Sequence, residues 1–279
     1  MGDVRAPVAA LPPLDPRHDP TKNHYWDYHG LDALLACKRP VTASEDEDPV
    51  IAVHQVCELS FHQMIVDLSR AVARFAEALD AAGDAVIGDT GEATYFLRRA
   101  TAMWRVVNQA MPVLGGLRAF GEFRAALGPS SGFQSIQFRR VELLAGVRRA
   151  YWEGGTRDET GRIHPAETEL ERRHGDLLRA WIESTRSSSL RAHYEALVAR
   201  APLAELRGHP SAGPLLRALA EHDHEQLRFH RAHLVVATEQ LARVGVHVGT
   251  GGTSFRDYLA RYEREQAPLF EGLAEALRE

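Results

Sequence analysis

Apolar positions recur at intervals of three and four along most of the chain, which predicts a protein built almost entirely from helices. The longest such segment begins after Glu47-Asp48-Pro49 and runs to about residue 82, with acids and proline where a helix N-terminus favours them. Further helices are predicted for residues 92–112, 117–127, 133–152, 166–186, 189–200, 213–243 and 256–277. Only short strand-like runs occur, so the expected fold class is all-α.

Some segments lack this helical period. Residues 1–23 contain five of the 14 prolines and predict an irregular N-terminal arm. Polar, glycine-bearing sequence predicts loops at 153–165 and at 245–254, the second being the most glycine-rich part of the chain. With no internal repeat and no composition change elsewhere, residues 24–279 are expected to form a single domain.

Composition and charge exclude several classes of protein. The chain has 279 residues, 44% of them hydrophobic and 25% charged, and a formal net charge of −5, which offers no basic surface for nucleic acid. No apolar run approaches the roughly 18 residues needed to span a bilayer, so no membrane partner is expected. Two cysteines cannot build a disulfide framework and the N-terminus lacks the layout of a signal peptide, which together indicate a reducing cytoplasm.

Histidine is the unusual residue, with 14 copies. His54 stands within the most apolar predicted helix, where a buried imidazole needs a partner. Two interpretations are open: a hydrogen bond to Glu58 one turn later inside the core, or an imidazole that lines a pocket and can form hydrogen bonds or transfer protons.

A second group of polar side chains shares one face of the predicted helix 213–243: His222, Gln226, His230 and His233. This face is either a hydrated surface or a wall that directs one imidazole at a buried metal, with its neighbours in support. His233 precedes the apolar run LVVA, which argues that its end of the helix is buried.

Three shorter motifs are ambiguous. Glu171-x-x-His174 and Glu221-x-x-His224 could contribute to a di-iron site in a bundle, although solvated helix faces explain them more simply. Arg124 could pair with a substrate carboxylate or lie at the surface. The GTGG segment at 249–252 lacks a phosphate-loop context, but its backbone N–H groups and Thr250 could meet a carboxylate.

Four sequence blocks, in order, resemble the tryptophan 2,3-dioxygenase superfamily of all-α, histidine-ligated haem enzymes. The blocks are HYWDYHGLDALLACKRP at 24–40, HQVCELSFHQ at 54–63, FRAALGPSSGFQSIQFRRVELLAG at 123–146, and the late helix followed by GTGGTSFRDYL. They span most of residues 24–259. The PSSGFQS, QFR and GTGG motifs are the most specific.

The resemblance implies roles for individual residues. His233 would be the proximal ligand of a haem b iron, and His54 the distal histidine that meets the indole N–H. Arg124 would pair with the amino-acid carboxylate. The polar contacts and backbone groups near substrate and haem would come from Ser131, Thr250 and Gly251. Tyr25 and Tyr28 match aromatic positions that the family donates to a neighbouring subunit's pocket, which implies a homo-oligomer, either a dimer or a tetramer.

Departures from the family pattern concern the spacing and the substrate side. The distance from His233 to the GTGG segment is about one helical turn longer than usual, so His230 is a second candidate ligand. Phe120 replaces a usual tyrosine. The other replacements affect expected pocket positions: Val50 for an aromatic residue, Met111 for a tryptophan near the cofactor, and His29 for a leucine.

The resemblance predicts a haem-dependent oxygenase that uses O2 to oxidise the indole ring of L-tryptophan or a close analogue at C2 and C3, giving N-formylkynurenine. The altered substrate-side positions leave an alternative from the same superfamily, a monooxygenase that converts a modified tryptophan, such as a β-substituted one, into a 2-oxindole. A non-enzymatic haem-binding or di-iron helical protein is the alternative from a different class.

Overall fold

The computed structural model describes residues 25–83, 85–124, 134–148, 165–245 and 268–278. Every regular element in these ranges is a helix, which confirms the predicted all-α class. The helices are α1 (Tyr25–Tyr28), α2 (Leu31–Ala36), α3 (Glu47–Asp80), α4 (Gly91–Gly115), α5 (Phe120–Arg124), α6 (Ile136–Ala145), α7 (Pro165–Ser184), α8 (Leu190–Val198), α9 (Leu203–Leu206), α10 (Ala212–Arg243) and α11 (Leu273–Ala276).

The chain divides into two compact units, Met1–Val41 and Thr42–Glu279. The described part of the first unit holds α1 and α2, and the second holds α3 to α11. The predicted arm at 1–23 lies outside the described residues, and the single domain expected for 24–279 stays a prediction.

The core of the second unit is built on α4, which packs between α3 and α10. Helix α3 runs antiparallel to α4, because Asp67 pairs with Arg99 at 3.3 Å while Asp46, at the start of α3, meets Arg118 beyond the end of α4. Helix α10 runs parallel to α4. The fully buried side chains that fill these contacts include Met64, Leu68, Phe75, Leu97, Trp104, Leu215 and Leu219.

The C-terminal end of α4 is closed by side chains of α10. Gln240 Nε2 donates to the carbonyl of Leu114 at 2.8 Å, and Arg243 donates to the carbonyl of Leu117 at 2.9 Å. The last carbonyls of a helix have no partners within the helix, and a cation there complements the helix dipole. These bonds hold the ends of α4 and α10 together.

Two predicted helices are shorter in the structure. The helix predicted for 117–127 begins only at Phe120, and the backbone N–H groups of Arg118 and Ala119 just before it donate to Asp46. The helix predicted for 133–152 spans Ile136–Ala145 and ends at Gly146, whose φ of 104° suits glycine. A side chain at Gly146 would also collide with Arg191 of α8.

No helix in the described part of the chain has both the length and the apolar character needed to cross a membrane.

Candidate functional site

Four aromatic rings from three helices and from the N-terminal turn of α6 meet in the centre of the second unit. Phe61 of α3, Trp104 of α4, Phe138 of α6 and Phe229 of α10 contact one another, with ring centroids 5.2–6.3 Å apart. Such tilted and edge-on pairs stabilise a core beyond their buried area. We refer to these four residues as the aromatic cluster.

His233 lies one helical turn after Phe229, and its ring stacks on the Phe229 ring with centroids 6.0 Å apart and an interplanar angle of 24°. Its side chain keeps accessible surface, yet surrounding protein removes enough hydration to lower its pKa to about 4. An electrostatic interaction with His54 contributes to the lowered pKa of His233, so His54 is near.

The helix directions explain why these two histidines meet. Phe61 and Phe229 contact each other where α3 passes α10. Since α3 is antiparallel to α4 and α10 is parallel to it, stepping back along α3 to His54 and forward along α10 to His233 leads to the same side of that contact. Two imidazoles from different helices therefore lie beside the aromatic cluster.

His54 does not have the buried environment expected from its apolar helix. Its side chain is exposed, and its Nδ1 lies 2.7 Å from the carbonyl oxygen of Val50 one turn earlier. A carbonyl can only accept, so Nδ1 carries the proton and Nε2 of the neutral ring holds a lone pair. His54 thus bonds to Val50 in place of the expected bond to Glu58, whose carboxylate accepts from Gln137 at 2.8 Å.

His230, the second candidate ligand, has a different environment. Only 5% of its surface is exposed, and its ring packs at 5.8 Å from Phe138 and 5.5 Å from Phe229. It is therefore part of the packing around the aromatic cluster, while His233 presents accessible surface.

Arg124 lies on α5, whose start is fixed to the N-terminus of α3. The Asp46 carboxylate accepts the N–H groups of Arg118 at 2.6 Å and Ala119 at 2.5 Å. This contact brings α5 to the end of α3 that carries His54. Phe120, also on α5, packs edge-on against the buried ring of Phe123 at 5.4 Å, and Arg124 is half-buried.

Two residues expected at the substrate and cofactor lie in the packed interior. Val50 is 7% and Met111 is 3% exposed, and both belong to the main hydrophobic core. Val50 also provides the carbonyl that orients His54. Their expected contacts with substrate or cofactor stay predictions.

Three expected site residues lie in the N-terminal unit, where they contact one another. The His29 ring meets the Tyr25 ring at 4.7 Å and the Tyr28 ring at 5.0 Å, and both tyrosines are largely exposed. Ser131, Thr250 and Gly251, and with them the GTGG segment, fall outside the described residues.

Ten histidines other than His29, His54, His230 and His233 were expected at the surface or in loops, and among those that the structure describes this is wrong for two. His222 is fully buried and bonds through Nδ1 to Thr101 Oγ1 at 3.1 Å, and burial lowers its pKa to about 4. His193 is 8% exposed and packs against Phe75, and burial lowers its pKa as well. Packing of α8 and α10 into the core, which helical spacing did not specify, explains both.

The di-iron alternative finds no site in the described residues. No group of three histidine, cysteine, aspartate or glutamate side chains there could hold a metal ion. Glu221 is engaged by Arg105 in an ion pair, and His224 is exposed, as expected for a solvated helix face.

Comparison with known proteins gives a consistent family assignment. A family model described as tryptophan 2,3-dioxygenase matches residues 15–199, about two thirds of the chain. The chain belongs to the tryptophan 2,3-dioxygenase family. Within this family it is similar to a tryptophan 2,3-dioxygenase of Nocardioides sp., with 32% identity over 272 residues that cover 91% of this chain and 94% of the relative.

Shorter alignments join it to other tryptophan 2,3-dioxygenases. That of Anaeromyxobacter dehalogenans is 36% identical over 126 residues, 44% of each chain. That of Ruegeria pomeroyi is 38% identical over 126 residues, 44% of this chain and 42% of the relative. Membership of the tryptophan 2,3-dioxygenase family makes the chain an oxidoreductase of the dioxygenase class.

Sequence reasoning missed the aromatic cluster as a feature of the site. Three of its members stand inside the blocks that carry the family resemblance: Phe61 in HQVCELSFHQ, Phe138 in FQSIQFRR and Phe229 in the late helix. Trp104 lies outside the blocks, and both Trp104 and Phe229 carry only an ordinary helical period, so nothing in their local sequence distinguishes them from other core residues.

Proposed function

We propose that this protein is a haem-dependent dioxygenase that uses O2 to open the indole ring of L-tryptophan or a close analogue to N-formylkynurenine. The observation that carries the proposal is the pair of imidazoles, His54 from α3 and His233 from α10, beside the aromatic cluster. The His233 side chain has accessible surface, and His54 contributes to its lowered pKa. Family membership supports the same reaction class.

His233 fits the role of haem ligand on the chemistry of its side chain. With its pKa lowered to about 4, the ring is neutral at pH 7, and a neutral imidazole is the form that binds a metal. Its stacking on Phe229 fixes the ring plane. His230 is packed between aromatic rings with little accessible surface, which favours His233 as the ligand of haem b iron.

When bound, haem would supply the binding and redox chemistry of O2. His54 contributes orientation. The Val50 carbonyl holds the proton on Nδ1, so Nε2 can accept the hydrogen bond of an indole N–H. Holding the substrate ring in a fixed reactive position can lower the barrier by roughly 7–11 kcal/mol.

Arg124 is the proposed partner of the substrate carboxylate. A guanidinium matches a carboxylate with two parallel hydrogen bonds, and its half-buried position strengthens such a pair. The Asp46 contacts that anchor α5 would keep Arg124 at the His54 end of α3. Phe120 on the same helix offers no hydroxyl, so Arg124 would carry this recognition.

The remaining expected site residues would complete the pocket. Ser131, Thr250 and Gly251 would provide polar groups near substrate and haem, and Tyr25, Tyr28 and His29 would close the pocket of a neighbouring subunit in a homo-oligomer. Val50 and Met111 would shape the pocket from within the core. Light scattering on the purified protein tests the assembly: a monomer would contradict it.

Product analysis under ¹⁸O2 tests the reaction. Protein expressed with haem and incubated with L-tryptophan should show a haem absorption band that shifts on substrate addition, and a product carrying both labelled oxygen atoms. Retention of a single labelled atom would replace the dioxygenase by the monooxygenase alternative. A haem-loaded protein whose spectrum ignores L-tryptophan and its ring-substituted and β-substituted analogues would contradict an oxygenase of indole substrates.

A further inference from the structure

The interface between α4 and α10 holds four polar atoms that are buried but lack a hydrogen-bond partner in the part of the chain that the structure describes: Trp104 Nε1, Asn108 Oδ1, His222 Nε2 and Gln226 Oε1. Their residues are 0–5% exposed. Buried polar atoms in native proteins almost always have a partner, in the protein or in ordered water. We refer to this stretch of the interface as the α4–α10 seam.

Helical spacing and two hydrogen bonds place the four residues on facing sides of the seam. Trp104 and Asn108 are one turn apart on α4, and His222 and Gln226 are one turn apart on α10. At one end Thr101 bonds to His222, and further along Asn108 Nδ2 donates to the Glu225 carbonyl at 3.1 Å. The four unpartnered atoms therefore lie within about two turns of α4 and the facing part of α10.

The protonation of His222 follows from the contacts of Thr101. The Thr101 hydroxyl donates to the Leu97 carbonyl at 2.9 Å, so its oxygen accepts the proton of His222 Nδ1. Because burial keeps the ring neutral at pH 7, Nε2 carries a lone pair. The seam thus contains one donor, the Trp104 indole N–H, and three acceptors.

These four atoms cannot satisfy one another, since one donor cannot serve three acceptors. A water molecule brings two donors and two acceptors, and buried water typically bridges polar atoms that would otherwise be unpaired. We propose that the α4–α10 seam binds ordered water, which accepts the Trp104 indole N–H and donates to acceptors on α10. The water joins the rings of the aromatic cluster to α10 by a hydrogen bond as well as by packing.

Nuclear magnetic resonance of protein labelled with ¹⁵N-tryptophan tests the proposal directly, because the chain has only four tryptophans. The Trp104→Phe variant identifies the Trp104 indole signal by its loss. That signal should exchange slowly with bulk solvent and show a cross-peak to a long-lived water. The partly exposed Trp181 serves as the comparison and should exchange faster. A slowly exchanging Trp104 signal without a water cross-peak overturns the proposal.

A pair of isosteric variants gives a second test that depends on sign. In a dry seam Gln226→Met removes an unpaired acceptor and should lower the unfolding equilibrium constant, by roughly 5- to 150-fold. In a hydrated seam Gln226→Met removes a hydrogen-bond acceptor of the bound water, so the unfolding equilibrium constant should stay the same or rise. The matched change Gln240→Met on the same helix removes the donor of the Leu114 carbonyl and should raise the constant. A more stable Gln226→Met protein overturns the proposal.

Discussion

His222 and His233 lie on one helix, and surrounding protein lowers the pKa of each to about 4. Their environments otherwise differ. His222 has no accessible surface, and its Nδ1 donates a hydrogen bond to Thr101. His233 has accessible surface, stacks on Phe229 and lies near His54. Loss of hydration alone therefore does not separate the two histidines. Surface exposure and the proximity of His54 distinguish His233 from His222.

Replacing His233 is expected to have the largest effect. His233→Ala should abolish the haem absorption band and lower kcat/KM by more than roughly 100-fold, because it removes the proposed iron ligand, and an axial ligand holds and tunes the iron. Absorption spectra of protein reconstituted with haem provide the measurement. His230→Ala is the matched control and should keep a haem band. A haem band that is lost in His230→Ala and kept in His233→Ala would identify His230 as the iron ligand instead.

Trp104 is fully buried and contacts the other three rings of the aromatic cluster, Phe61, Phe138 and Phe229. Trp104→Ala should lower the free energy of unfolding by about 3–5 kcal/mol, the usual cost of an aromatic cavity. Urea denaturation measures it. Tyr95→Ala on the same helix removes an exposed ring and should change the value by less than about 1 kcal/mol. Equal losses would contradict the central position of Trp104.

The pH dependence of stability sharpens the comparison. The ordinary histidine pKa is 6.5, so His222 is protonated below pH 6.5 in the unfolded chain. In the folded protein it stays neutral until about pH 4. The free energy of unfolding should therefore fall across this window, by about 3 kcal/mol from His222 alone. His233 adds in the same direction, less strongly because its side chain is accessible.

Asp223 acts in the opposite direction. Burial raises its pKa from 3.8 to about 6, so acidification through this range protonates the folded state first and stabilises it. Asp223→Asn should remove that offset and make stability fall more steeply between pH 6 and pH 4, while its side-chain oxygen can still accept the Leu269 N–H. Urea midpoints at pH 7, 6, 5 and 4 measure the slope. Unchanged slopes would show that Asp223 does not titrate in this range.

The smallest expected effect concerns the hydrogen bond between the buried His222 and Thr101. Thr101→Val keeps the shape of the side chain but leaves His222 Nδ1 without its acceptor, which should cost about 1–3 kcal/mol. Thermal or urea unfolding measures the loss. Thr94→Val on the same helix is the control, because the buried Thr94 hydroxyl has no hydrogen-bond partner in the described residues, so its removal should be neutral or stabilising. Equal costs would contradict the Thr101 contact.

Local sequence predicted the helices well because three-and-four spacing is a property of each segment by itself. The apolar period located α3, α4 and α10 to within a few residues. It was less exact at α5, which begins three residues later than predicted, just after the two N–H groups that bond to Asp46. It also placed His54 in the core, because the period gives a face but not the neighbour that covers it.

The sequence by itself determined the all-α class, the family, and the pairing of His54 and His233 as candidates, since these depend on period and on long specific motifs. Tertiary structure alone decided which histidines are sealed and which can be reached. It also formed the aromatic cluster, whose four rings come from separate segments of the chain. Packing depends on the directions of whole helices, and those follow from long-range contacts that no single segment encodes.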